Sequence, residues 1–411
     1  MTADARLIWT AAIDAVRPER LLTTAAMSTA LTHLADGCDR VVVVGAGKAA
    51  AGMAAGVEAL LGAEALSRHR VTGLISVPEG CYRRLACVEV RETRPAGVNL
   101  PTPAVVQTTD EILRLVSSLT PRDAVIAVIT GGGSALLAAP RPGVSLEDKI
   151  AVTRRLSADG ATIAELNAAR RGMSIVKGGG LARACRAGRL LVLVLSDVLG
   201  NDLSTIASGP CLSAEPGSDS TWTTAAGCHV EHLIVGDNAT AVSAAEAEAC
   251  RLGYRIVPAT IPVEASADAV GIRLAEAGLA ALAATRRDGR SRALVSGGEA
   301  TVRLPDAHGR GGRNQQTVLA AIDHVRRTEG MWPEGLVITS VGTDGEDGPT
   351  DAAGAIADAA VVAAIDAQGL DAASALARCD AYPLLAACGG LIRTGATGTN
   401  VADVRCVLAA R

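Results

Sequence analysis

Residues 40–50 read Arg40-Val41-Val42-Val43-Val44-Gly45-Ala46-Gly47-Lys48-Ala49-Ala50. Four successive valines leave no polar face, so the run suits a strand buried on both sides. Glycines on either side of Ala46 permit a sharp turn, and the Ala-rich stretch to about residue 61 has the composition of a helix. A buried strand, a tight turn and a helix are the opening of a doubly wound α/β unit. The signal recurs. Residues 71–77, 86–90, 123–130 and 190–195 read as strands, with helical stretches at 111–119 and 146–185 and two amphipathic helices before residue 40. Residues 209–224 lose periodicity and gather Pro210, Pro216 and Gly217, which reads as a domain connection. Beyond it, strands are expected at 233–235, 255–258, 293–296, 336–341 and 404–408, with 301–304 as a hairpin partner. Helices are expected up to residue 250, over 264–287 and from residue 314. The organisation is therefore two α/β domains, residues 1–225 and 226–411.

Composition narrows the class. The chain has 411 residues, a net charge of -4, 49% hydrophobic and 20% charged residues, which excludes disorder. No basic excess exists to neutralise a nucleic-acid backbone. Aromatics make up 1% with no Phe, so base-stacking platforms are not expected either. The ten cysteines form no C-x-x-C pair and read as small buried hydrophobes in a reducing compartment. No signal-peptide core and no uncharged apolar run of about 18 residues is present, so a cytoplasmic protein without membrane or nucleic-acid partners is expected. Oligomeric state stays open, a homodimer included.

The chemistry belongs in loops that follow strands, because the ends of parallel strands and helix N-termini together favour anions. Gly45-Ala46-Gly47-Lys48 resembles a dinucleotide fingerprint, but the acidic residue expected about 20 positions on is missing, and Glu79 falls late. It is not a phosphate-binding Walker loop, since Ala49 stands where Ser or Thr belongs. An anion held between Lys48 and the turn amides competes with a solvated lysine beside a packing turn. Gly131-Gly132-Gly133-Ser134 lacks the last glycine of a nucleophile elbow, which leaves a tight turn or a cradle for phosphate oxygens. Ser296-Gly297-Gly298-Glu299 repeats the pattern. Gly309-Arg310-Gly311-Gly312-Arg313-Asn314 sets two guanidiniums before a helix, either an anion site or an exposed tip. The loop 342–351 carries Asp344, Glu346, Asp347 and Asp351. One or two of these could hold Mg²⁺ together with nucleotide phosphates, or the loop is a solvated turn. Residues 394–400, Thr-Gly-Ala-Thr-Gly-Thr-Asn, form a further hydroxyl-and-glycine loop. His229 and His232 fall near the expected connection and read as surface residues.

Taken together, VVVVGAGKAA (41–50), TGGGSALL (130–137), LNAARRGMSIVKGGGLA (166–182), LSDVLGNDLSTIASGP (195–210), GRGGRNQQ (309–316), SVGTDGEDGPTDAAGA (340–355) and TGATGTNVADV (394–404) resemble the class II glycerate 2-kinases. The C-terminal part of that family is known as the MOFRL domain. The resemblance implies a doubly wound, Rossmann-like three-layer N-terminal domain, a smaller MOFRL-type α/β domain and an active site in the cleft between them. It implies ATP and Mg²⁺ as cofactors and transfer of the γ-phosphoryl group to the 2-hydroxyl of D-glycerate. It puts the catalytic Lys at Lys48 and the catalytic Arg at Arg313, with Asp197 able to take the hydroxyl proton. Gly45, Gly47, Gly131, Gly132, Gly133, Ser134, Gly297, Gly298, Glu299 and Asp344 would bind the nucleotide. Asp344 and Asp197 would face the metal, and Arg94 and Asn314 the acceptor. Arg94 stands where the family carries His, and residues 211–216 depart from the family after SGP. These departures leave open another small anionic hydroxy acid as acceptor. An NAD(P)H-dependent hydroxypyruvate reductase and a catalytically silent nucleotide-binding protein are the alternatives from other classes.

Overall fold

The protein is described as a computed structural model covering residues 1–158, 162–213, 220–258 and 260–411. It divides into two compact units. One comprises Arg17–Asp237 with Gly398–Asn400; the other comprises Met1–Val16, Asn238–Thr397 and Val401–Arg411.

The first unit holds β1 (Val41–Ala46), β2 (Thr72–Pro78), β3 (Val88–Arg94), β4 (Ala124–Thr130), β5 (Arg189–Leu195), β6 (Thr221–Thr223) and β7 (His229–Gly236). The strands lie in the order β3-β2-β1-β4-β5-β7-β6. Every neighbouring pair is parallel except β6 on β7. The valines of residues 41–44 are all buried, with Val43 opposite Gly73 on one side and Ile126 on the other. Val42, Val44, Val125, Ala127, Ile129 and Val192 form one face of an aliphatic core. Each such burial stabilises by about 1.5–3 kcal/mol for the larger side chains, so the sheet centre needs no aromatic residue.

Local signals start the covering helices where they are found. Thr102 accepts from Val105 N–H, with a proline in the first turn, to open Pro103–Ser117. Thr162 and Glu165 form a reciprocal capping box on Ile163–Gly172. Strand order reverses between β1 and β4, and in open α/β sheets the crevice outside the carboxyl ends at that reversal takes ligands. The glycine turns after β1 and β4 both sit there.

The second unit holds β8 (Arg255–Ile256), β9 (Arg292–Gly298), β10 (Leu336–Gly342), β11 (Gly354–Ala357), β12 (Leu391–Ile392) and β13 (Asp403–Ala409). Its order is β12-β11-β10-β13-β9-β8, antiparallel throughout except β8 with β9. Helices Ala267–Asp288 and Arg313–Glu329 pack on each other and on this sheet, burying Leu274, Val318, Ile322, Ile338 and Val407.

Four expectations change. The division falls at Asp237/Asn238 rather than at 225/226, and the first helix, Thr2–Ala15, packs with helix Asn238–Arg251 and β13 of the later unit. The apolar stripe Ile8, Trp9, Ala12 and Ile13 needed a core, and proximity in sequence did not choose which. The expected connection at 209–224 lies partly outside the described residues, at 214–219, and its described end forms β6 within the first unit. Residues 301–304 are not a hairpin partner: β9 already has β13 and β8 on its two edges, and Thr301 makes only an isolated bridge to Ser266. His229 and His232 lie in β7, and His232 is buried, with Nδ1 3.2 Å from the Ser220 carbonyl. No helix among the described residues is long and apolar enough to cross a membrane.

Candidate active site

In the first unit the site grows from the ends of β1, β3, β4 and β5. Gly47 crosses Thr130 so closely that a Cβ would come 2.0 Å from Thr130 Oγ1, and its φ is +140°. Only glycine fits there. The crossing is held by Lys48 N–H donating to Gly131 O at 3.0 Å and Ala49 N–H to Thr130 Oγ1 at 3.1 Å. Lys48 therefore sits two residues before helix Ala50–Arg68, fixed by its own backbone.

Gly132 adopts φ +78°, and the open side of its backbone faces Arg94 Nη2 and the Lys48 side chain, 3.4 and 3.7 Å from where a Cβ would lie. Gly131 lies against Asp197 and Asn400, and Asn400 Nδ2 donates to Asp197 Oδ2 at 3.3 Å. Ser134, in the one-turn helix Gly133–Leu136, has its Oγ 3.0 Å from Ser208 Oγ, and Ser208 donates to Asn167 Oδ1 at 2.8 Å. Lys48, Arg94, Asp197 and the glycine turn thus meet at the carboxyl ends of these strands. Arg94 does not project into solvent. It is buried, and its Nη1 donates to the carbonyls of Pro95 and Val98, bending the chain after β3.

The second unit carries a separate constellation. Gly312 breaks into helix Arg313–Glu329, whose first amides are taken by Asp347: Oδ1 accepts from Asn314 N–H at 3.0 Å and Oδ2 from Gln315 N–H at 2.9 Å. Burial pushes the Asp347 carboxyl up to about 6, against those amides. Arg313 Nε and Nη2 donate to Asp403 at 2.8 and 2.9 Å, and Nη1 to Glu299 at 2.8 Å. Burial works against the guanidinium charge, but the two carboxylates outweigh it and hold the Arg313 pKa above its ordinary value. One hydrogen on each terminal nitrogen stays available to an anion.

Several expected roles are corrected here. Asn314 is buried and spent internally: it donates to Asp347 and Asp403 and accepts from Ser340 Oγ, so it is not an acceptor contact. Gly297 and Gly298 face Asn238 and Val263 rather than an open cradle; Asn238 Nδ2 donates to the carbonyls of Val401 and Asp403. Glu299 is the partner of Arg313. Gly45 packs against Val128 of β4 within the sheet. Asp344 is half-buried and accepts from Glu346 N–H at 3.0 Å. Among the described residues no group of three His, Cys, Asp or Glu side chains converges on a metal position. Mg²⁺ does not require one, since it is commonly held by one or two carboxylates with substrate phosphates. Asp197 and Asp344 fit that use by chemistry. Asn400 and Asp403 escaped the sequence reading; both lie in TGATGTNVADV, and the run of small and hydroxyl residues before them was their only local mark.

Residues 4–235 match the family described as a domain of unknown function (DUF4147), and residues 292–403 match the MOFRL family. A Danio rerio glycerate kinase is 32% identical, with 98% of this chain and 97% of the relative covered. The Homo sapiens glycerate kinase is 35% identical over 88% of this chain and 83% of its own. The crystal structure of a Thermotoga maritima glycerate kinase superposes with a TM-score of 0.82 at 32% identity, covering 99% of each chain. The chain belongs to the glycerate kinase family. The first family region ends two residues before the division at Asp237, and the MOFRL region lies within the second unit apart from residues 398–400. An Agrobacterium vitis relative at 36% identity, with 90% of this chain and 99% of its own covered, is provisionally named a hydroxypyruvate reductase.

Proposed function

We propose that this protein is a glycerate kinase that uses ATP to phosphorylate the 2-hydroxyl of D-glycerate. The reading rests on end-to-end similarity to glycerate kinases together with the grouping of Lys48, Gly132 and Asp197 at the strand reversal. The 2-hydroxyl oxygen attacks the γ-phosphorus, forming the new P–O bond as the bond to the β,γ-bridging oxygen breaks and ADP leaves. Asp197 takes the hydroxyl proton. Lys48 and Arg313 stabilise charge on the transferred oxygens, the larger part of catalysis in phosphoryl transfer. Asp344 or Asp197 would hold Mg²⁺, whose charge would offset that of the phosphates. The open side of Gly132, beside Lys48 and Arg94, suits a phosphate oxygen.

ADP release measured against a panel of hydroxy acids, with ³¹P NMR of the product, tests the reading. Release that depends on D-glycerate and yields 2-phosphoglycerate is expected. A better acceptor elsewhere in the panel would move the assignment to that acid.

One observation favours the reductase reading. Glu79 immediately follows β2, where dinucleotide folds place their ribose-binding acid, because the long helix Ala50–Arg68 lengthens the count from Gly47. Hydroxypyruvate-dependent NADH or NADPH oxidation without ADP release would replace the kinase by that activity.

A further inference from the structure

A second group of cations in the first unit has no part in the site described so far. Lys149 on helix Leu146–Ala158, Arg170 on helix Ile163–Gly172 and Lys177 line a narrow cavity that also touches Ser134, Leu100 and Pro101. Its free interior is about 20 Å³, room for one or two water-sized groups. Lys149 is 6% exposed and Lys177 3%. Lys177 Nζ donates to the carbonyls of Ala207 at 2.8 Å and Gly133 at 3.4 Å, and Arg170 Nη1 to Asn167 Oδ1 at 3.3 Å. Lys149 Nζ has no hydrogen-bond or ion-pair partner among the described residues, and no carboxylate there pairs with any of the three.

Burying an ammonium without a counter-charge is costly, and such a group either neutralises or awaits an anion. Burial and the neighbouring Arg170 and Arg141 push the Lys149 pKa down to about 8, and burial with Lys149 and Arg170 pushes Lys177 well down. Lys177 ties Gly133 to Ala207 through its carbonyl bonds, but no such bond engages Lys149. An anion would satisfy them, and the space admits the two oxygens of a carboxylate rather than a polyphosphate. The cavity abuts Ser134, one residue beyond the Gly131–Gly133 turn proposed for phosphate.

We propose that Lys149 and Arg170, backed by Lys177, form the pocket that binds the carboxylate of the acceptor hydroxy acid. The inference rests on the kinase reading for its ligand but not for its test. Lys149 selects anionic acceptors by charge, and the wall at Leu100 and Pro101 limits their size. Arg94 supports that wall by holding the Val98 carbonyl, which makes it a positioning residue for the pocket.

The test reads binding apart from turnover. Wild-type protein is reductively methylated near pH 8 with D-glycerate, glycerol, ATP or inorganic phosphate present, and modification of Lys149 is read by peptide mass spectrometry. Calorimetric titrations of wild type and Lys149→Met accompany it. Protection by D-glycerate but not by glycerol is expected, with D-glycerate affinity falling at least tenfold in Lys149→Met and ATP affinity unchanged. Protection by ATP or phosphate alone would reassign the pocket to the nucleotide and overturn the proposal, as would unaltered D-glycerate affinity in the variant. Should the variant fail to fold, D-glycerate that leaves wild-type Lys149 unprotected still overturns it. Protection by D-glycerate without any ADP release would overturn the kinase reading alone.

Discussion

Arg313 meets Asp403 through two parallel hydrogen bonds, Nε to Oδ2 at 2.8 Å and Nη2 to Oδ1 at 2.9 Å, with Asp403 wholly buried and Arg313 about one-third exposed. The pair spans 90 residues and joins the start of a helix to the start of β13. Two bonds fix the plane of the guanidinium as well as its place, which a single bond to Glu299 would not do. Asp403 is accordingly a positioning residue for Arg313. Asp403→Ala should lower kcat by more than tenfold with a small change in the acceptor KM. It should also cost at least about 2 kcal/mol in urea unfolding, since buried donors of Arg313 and Asn314 are left unsatisfied. Wild-type kcat in a destabilised Asp403→Ala enzyme would show that the pair serves the fold alone.

Lys48→Ala and Arg313→Ala should each reduce turnover by about a hundredfold or more, the scale for losing one preorganised donor. Their stabilities should part. Arg313 does not simply face solvent, and its removal strands the buried Asp403 carboxylate. Arg313→Ala should therefore melt well below Lys48→Ala. Lys48→Arg should restore little activity, the planar group being too wide for the place of an ammonium beside Gly132.

Arg94→Ala should raise the acceptor KM about tenfold and leave the KM for ATP nearly unchanged. Its Nη1 holds the bend through Pro95 and Val98, and its Nη2 borders Gly132, so the variant loosens the acceptor side of the site. Steady-state kinetics with each substrate varied in turn measures the split. An equal rise in both KM values would place Arg94 with the nucleotide instead.

Lys149 gives the pH dependence. Its folded pKa of about 8 lies below its ordinary value of 10.5, so between these two pH values the unfolded chain binds the extra proton. Stability should rise with pH through that window, and the full penalty of the buried charge applies below it. Anion binding runs the opposite way. D-glycerate affinity should weaken above pH 8 as the ammonium is lost, and Lys149→Met should abolish that part of the profile. The guanidinium of Arg170 remains in the cavity wall, so a residual affinity is expected in the variant.

Local chemistry carried a large share of this molecule. The valine run before Gly45 required a strand buried on both faces, and Gly47 and the Gly131–Gly133 turn announced themselves because backbone must pass within contact of Thr130, Asp197 and Asn400. Such features are local: a β-branched run or consecutive glycines restrict the backbone wherever the chain goes. The family motifs added the positions of Lys48 and Arg313.

What sequence could not reveal is which charged face turns inward. Lys149 and Arg170 look like ordinary solvated helix residues, since helical spacing is the same for a cation in water and one aimed into a cavity. Asp403 opens a strand buried along its whole length, and Asp347 stands among three other acids, yet one clamps Arg313 and the other caps its helix. The first helix was equally legible as amphipathic, but its choice of the later unit depended on where an apolar surface remained uncovered. Strand, turn and helix were thus determined by short-range sterics and patterning. Partners far apart in the chain were decided only by packing, which buries some charges, pairs others and leaves Lys149 facing a space shaped for an anion.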